Sequence, residues 1–222
     1  MKKLLTIGAF LLAAAPLSAQ NWSIGVGTGA FVFGDFVERR QRGPGSPDQP
    51  SVVNTQTLSA ATRAGLAVDL ERSLSDRWAI RVEGAFTRAH LALKDESDDE
   101  FSLDAGEVDV TTLTAPIVFR INPRGSLRFH LLIGPAFAIY RTVGRSNANA
   151  DLAVFSGSRS AWGAAGGAGL AWQWSDRFAV EGQIVDIVTT SPFEREDFTG
   201  LSGISIPKPH NVHTTVGVRY RF

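Results

Sequence analysis

The chain is 222 residues long, carries 22 basic and 22 acidic side chains for a formal net charge of zero, and contains no cysteine. The charge balance excludes a nucleic-acid binder built on a basic stripe, and the missing thiols exclude a disulfide framework or a lipid-modified N-terminal cysteine. Past the N-terminal segment no apolar run approaches the ~18 residues of a spanning helix, so a helical membrane protein is excluded too.

Residues 1–19 read as a signal peptide. Lys2 and Lys3 give the positive start, Leu4 to Leu17 the apolar stretch, and Leu17-Ser18-Ala19 the small residues before a cleavage expected between Ala19 and Gln20. The alternative is a retained N-terminal anchor, but the apolar core is short for a spanning helix. Residues 20–222 then form one domain.

Strands are predicted in turn at 22–33, 60–71, 78–89, 107–121, 127–141, 160–174, 178–189 and 210–222. Short connectors fall at 72–77, 122–126 and 175–177, and long ones at 34–59, 90–106, 142–159 and 190–209. Short turns on one rim and long loops on the other are the pattern of an outer-membrane barrel, with the turns periplasmic. Alternation with period two supports the strands. In the last, Val212, Thr214, Val216, Val218, Tyr220 and Phe222 oppose Asn211, His213, Thr215, Gly217, Arg219 and Arg221. In the third, Trp78, Ile80, Val82, Gly84 and Phe86 oppose Arg81, Glu83 and Thr87. The second and seventh strands begin in the same way, and Pro116 and Pro135, inside adjacent strands, predict local bulges.

One apolar face would also suit a soluble sandwich. The height of the aromatic residues argues against it. Trp22, Trp78, Phe119, Phe129, Trp172, Trp174, Phe178, Tyr220 and Phe222 lie near the short-turn rim, and Phe31, Phe33, Phe86, Phe137, Tyr140 and Trp162 near the other. Two such girdles are expected where rings settle at headgroup depth. The opposite face mixes small residues with charges of both signs, which fits an eight-stranded barrel filled by its own side chains. Arg63, Asp69, Arg81, Glu83, Arg128, Glu181, Arg219 and Arg221 are the expected lumen network, with His130 pointing inward beside Arg128. Gly163, Gly167 and Gly169 would relieve crowding inside.

The ending VGVRYRF, the stretch 111–140 (TTLTAPIVFRINPRGSLRFHLLIGPAFAIY) and the stretch 163–184 (GAAGGAGLAWQWSDRFAVEGQI) resemble the OmpA/OmpX-like outer membrane protein β-barrel domain family. The resemblance covers essentially the whole chain after residue 19. It implies a closed antiparallel transmembrane β-barrel of about eight strands in an up-and-down meander, located in the outer membrane. It also implies that the barrel-assembly machinery reads the C-terminal strand ending at Phe222. No peptidoglycan-binding domain follows, so cell-wall tethering is not implied.

Candidate chemistry is sparse. His210 and His213 start the last strand near Ser202 and Ser205, the ingredients a lipid A-modifying enzyme would need, yet no His-x-Ser pair shares a strand face. The plainer reading of these residues, and of His90 and His130, is polar rim and lumen filling. The acidic run Lys94–Glu100 has carboxylates for a divalent cation but lacks the glycine and spacing of a calcium loop, so a solvated loop tip is expected. Glu38-Arg39-Arg40-Gln41-Arg42 would meet lipopolysaccharide phosphates or, with the following Gly43–Pro47, form a mobile loop. No catalytic, cofactor or metal residue is assigned. The expected function is a structural or surface-interaction role, non-enzymatic, as a monomer among outer-membrane lipids and lipopolysaccharide, with no nucleic acid. The alternatives are a small pore or a lipid A-modifying enzyme.

Overall fold

The computed structural model describes residues 21–42, 53–95, 98–144, 157–194 and 203–222; the expected signal peptide and the segment Gly43–Pro47 lie outside them. Among the described residues there are twelve strands and no α-helix. They are β1 (Trp22–Phe33), β2 (Asp35–Arg42), β3 (Val53–Ala60), β4 (Arg63–Ser73), β5 (Trp78–Asp95), β6 (Asp98–Thr114), β7 (Ile117–Arg120), β8 (Leu127–Gly144), β9 (Ser158–Gln173), β10 (Phe178–Thr189), β11 (Ile204–Ser205) and β12 (His210–Arg221).

All pairings are antiparallel, and they close. β1 lies between β12 and β4, β4 joins β5, and β5 joins β6 and β7. Both of these pair with β8, and the ring returns through β9 and β10 to β12. Four of the twelve strands continue another wall: β2 extends β1, β4 follows β3, β7 follows β6, and β11 pairs with β2 above β12. The result is an eight-walled barrel closed around its full circumference at the height of the belt, as the expected meander requires.

Alternation explains which way each side chain points. Ile24, Val26, Leu66, Val68, Ile80, Val82, Ile133, Ile184, Val216 and Val218 all stand on the outer wall and are exposed. A belt of that extent would be untenable in water and is at home in hydrocarbon. Trp78 packs on Phe119 at 4.7 Å and Phe178 on Tyr220 at 5.0 Å at the short-turn rim, and Phe137 on Trp162 at 4.6 Å near the other. Three expected girdle residues are corrected here: Phe31, Phe33 and Tyr140 are buried in the lumen.

Two expected loops are also corrected. Much of 34–59 and 90–106 is strand: β2 with β3, and the far ends of β5 and β6, continue the wall beyond the belt. The 18 residues of β5 cover ~60 Å of strand, or ~45 Å of height at a ~40° tilt, against an apolar band of ~25 Å. These segments looked like loops because a wall standing in water needs no apolar outer face. Of the acidic run Lys94–Glu100, Lys94 and Asp95 end β5 and residues 98–100 begin β6; residues 96 and 97 lie outside the described residues.

The prolines leave a gap without a bulge. Glu83 pairs with Thr114 above Pro116 and Ile80 with Ile117 below it, which is one unshifted register. Pro135 stays in β8 opposite Ala164, and its carbonyl accepts from Ala115 N at 3.1 Å.

Candidate functional site

Among the described residues the chemistry-bearing side chains converge in the lumen, which has two layers. The lower layer, toward the short turns, is charged. Arg81 donates to Glu71 Oε2 from Nε (2.9 Å) and Nη2 (2.6 Å), and its Nη1 lies 2.8 Å from Glu181 and 2.7 Å from Gln183 Oε1. Arg219 sits 2.8 Å from Asp69 and donates to Glu181 Oε2 at 2.6 Å and to Ser23 Oγ at 3.2 Å. Arg120 reaches Glu71 Oε1 at 2.5 Å, Gln183 Nε2 donates to Glu83 at 2.7 Å, and His130 Nε2 lies 3.3 Å from Glu181. Seven of the eight walls contribute to this layer. β9 supplies small residues: a Cβ on Gly169 would stand 2.4 Å from the His130 ring. Mixed signs at these distances are what makes buried charge tolerable.

The upper layer is apolar. Phe31, Phe33, Phe36, Leu58, Leu91, Val108, Val110, Tyr140 and Phe193 are all buried together. Phe36 meets Tyr140 edge-on at 5.7 Å and Phe193 at 6.0 Å. A Cβ on Gly65 would stand 2.5 Å from Phe31, so glycine is what makes room for that ring. Asn211 Nδ2 donates to Tyr140 Oη at 2.9 Å. Phe193 belongs to the segment after β10, so the chain beyond that strand tucks into the barrel mouth. Between the layers a cavity of about 20 Å³, lined by Asp69, Glu83, Glu181 and Arg219 among others, holds little more than one water.

The sequence pattern of the outer membrane protein beta-barrel domain family matches residues 18–185. The chain belongs to this family. Its members are outer-membrane proteins, and the closed barrel with its exposed apolar belt places this one there too. Among solved structures the family barrel described here resembles OprG from Pseudomonas aeruginosa, with a TM-score of 0.55 at 10% identity over 91% of this chain and 98% of that one. It also resembles AlkL, solved in lipid bilayers, with a TM-score of 0.53 at 12% identity over 95% and 94%. The outer membrane protease OmpT from Escherichia coli matches with a TM-score of 0.44 at 11% identity over 95% and 99%. Likeness at these identities shows the fold alone. No curated protein matches the sequence.

Within this outer-membrane barrel, five expected network residues meet as read: Asp69, Arg81, Glu83, Glu181 and Arg219. Three do not. Arg63 opens β4 opposite Phe31, at the height of the apolar layer, and is exposed. Arg128 and Arg221 stand below the network at the short-turn mouth. Alternation puts Glu71 and Gln183 on the inward face, and they join the network beside the five; Arg120 is the member that sequence reading does not reach. Glu71 and Gln183 share the inward parity of Asp69 and Glu181. Arg120 lies beyond Pro116, where the face was ambiguous.

The histidines do not assemble. His130 and His213 face the lumen, His213 against Phe31 with ring centroids 4.1 Å apart. His90 and His210 face outward, 3.5 Å from Glu107 and 2.9 Å from Asp186. His210–Asp186 has the form of a base with its orienting acid, but no hydroxyl among the described residues bonds the second ring nitrogen. Ser202 lies outside the described residues, and Ser205 sits on β11 opposite Glu38. Among the described residues no cluster of side chains could hold a metal. Glu38 and Arg40, read as part of a loop, pair with each other at 2.6 Å on strand β2.

Proposed function

We propose that this protein is a sealed, non-enzymatic outer-membrane barrel whose part beyond the bilayer carries a structural or surface-interaction role. The observation behind this reading is the filled lumen, with a charged layer below and an aromatic layer above. Ions crossing it would have to displace paired charges and then pass a constriction lined mainly by aromatic and aliphatic side chains, and both barriers are high. The extension of β2, β3, β5 and β6 beyond the apolar belt gives a rigid platform for recognition, since loops on such a scaffold are free to vary. Outer-membrane lipids and lipopolysaccharide are its proposed surroundings. The barrel-assembly machinery would receive it through β12 and Phe222, and it would act as a monomer.

The test is planar-bilayer recording on the purified barrel, together with mass analysis of lipid A from cells with and without it. Silent bilayers and an unchanged acyl pattern are expected. Steady single-channel steps would sink the sealed reading, and an altered acyl pattern would move His210–Asp186 into a catalytic role.

A further inference from the structure

Below the lower plug layer the lumen widens into a mouth of about 340 Å³ whose walls include Arg120, Arg124, Arg128 and Arg221, one acid, Asp76, and the Ser73 and Ser75 hydroxyls. Two of these arginines are already matched to acids. Arg120 is held by Glu71 at 2.5 Å, and Arg124 lies 3.9 Å from Asp76 at the turn surface. The other two are not. Arg128 donates only to the turn carbonyl of Gly125, at 3.2 Å, and no carboxylate among the described residues lies within ion-pair distance of Arg128 or Arg221. Their strand parity, two residues from His130 and Arg219 respectively, aims both inward at the lumen axis. Ala171 and Ala179, on the two walls between them, leave the space open.

We propose that this mouth is a binding site for a small soluble phosphate monoester arriving from the periplasm. Two guanidinium groups without acids call for a ligand carrying about two negative charges, which a phosphate monoester brings near neutral pH and a single carboxylate does not. Guanidinium forks match phosphate oxygens in pairs, and the serine hydroxyls can donate to the third oxygen. The volume exceeds what bare phosphate fills, so an organic group accompanies it. Because the side chains face the lumen axis and not the lipid wall, phospholipid headgroups of the inner leaflet are not the source.

The test uses the full barrel in phosphatidylcholine nanodiscs titrated with phenyl phosphate and followed by calorimetry and by ³¹P line broadening. Saturable one-to-one binding is expected, not displaced by acetate at equal ionic strength. Arg128→Gln and Arg221→Gln should each weaken it about tenfold, the loss of one charge-assisted contact. Arg128→Lys should fall between, and Arg77→Gln on a neighbouring turn should leave it unchanged. Neither arginine belongs to the plug's ion pairs, so the heat-dependent gel mobility of the closed barrel should persist in the variants. The proposal is overturned if folded wild-type barrel gives no saturable binding. Equal loss in the Arg77→Gln control overturns it as well, as does displacement by acetate, or a response to phosphatidylglycerol in the disc in place of soluble phosphate.

Discussion

Arg81 is 2% exposed and bonds acids or amides from two other walls through one guanidinium, so it ties β5 to β4 and β10 across the lumen. Its removal leaves Glu71 and Glu181 with fewer cations in a space that water hardly enters. Arg81→Met is expected to destabilise the barrel by about 1–3 kcal/mol, short of the cost of a fully orphaned charge because Arg120 still holds Glu71 and Arg219 still holds Glu181. Equilibrium unfolding in urea with detergent micelles would read it. Adding Glu181→Met should recover a large part of the loss, because a buried pair replaced by apolar groups costs little. If the single and double variants are equally unstable, Arg81 acts through packing alone. The charged residues of this layer were legible in the sequence wherever strict alternation ran uninterrupted, as in Asp69, Arg81 and Glu83. Arg120 was not, because the ladder breaks at Pro116 and parity alone does not say that the register resumes unshifted.

Along β5 the facing stays in step, with odd-numbered residues inward from Ala79 to Leu91, while the polarity of the two faces inverts. In its lower half Arg81 and Glu83 point in while Ile80 and Val82 point out; in its upper half Ala89 and Leu91 point in while Arg88 and His90 point out. β10 repeats the switch, with Glu181 and Gln183 inward below and Val185 and Ile187 inward above, where Asp186 faces out. The cause is a change of solvent on both sides of the wall: hydrocarbon gives way to water outside at the height where the lumen changes from charged to apolar. A uniform rule of apolar residues outward therefore hides the outer hairpins, and it sends Phe31 and Tyr140 to a girdle when they belong to the lumen. The inversion also makes a depth prediction within one strand. Val82→Arg should cost about 2–4 kcal/mol as a charge in the bilayer, whereas His90→Arg should cost about 0–1 kcal/mol beyond it. Reversible folding into lipid vesicles measures both. Equal penalties would place the bilayer boundary elsewhere on β5.

At the scale of the whole barrel, the two lumen layers are seals in series, and a path is open only when both are open. This sets an asymmetric expectation for channel recordings. Trimming the upper layer by Phe31→Ala, Phe36→Ala and Tyr140→Ala leaves Arg81, Arg219 and their acids across the lumen below. Trimming the lower layer by Asp69→Ala, Glu71→Ala, Arg81→Ala, Arg120→Ala, Glu181→Ala and Arg219→Ala removes three charges of each sign together with their mutual partners, so no ion pair is left half-broken. It also leaves the aromatic constriction intact, and an apolar neck of that kind resists wetting. Each set alone should therefore stay silent in a planar bilayer, and only the combined variant should show conductance steps. Steps from the lower set alone would mean that the aromatic layer is a gate which opens by itself. Steps from the upper set alone would mean that the charge network conducts, and its ion pairs would then be a pathway and not a plug.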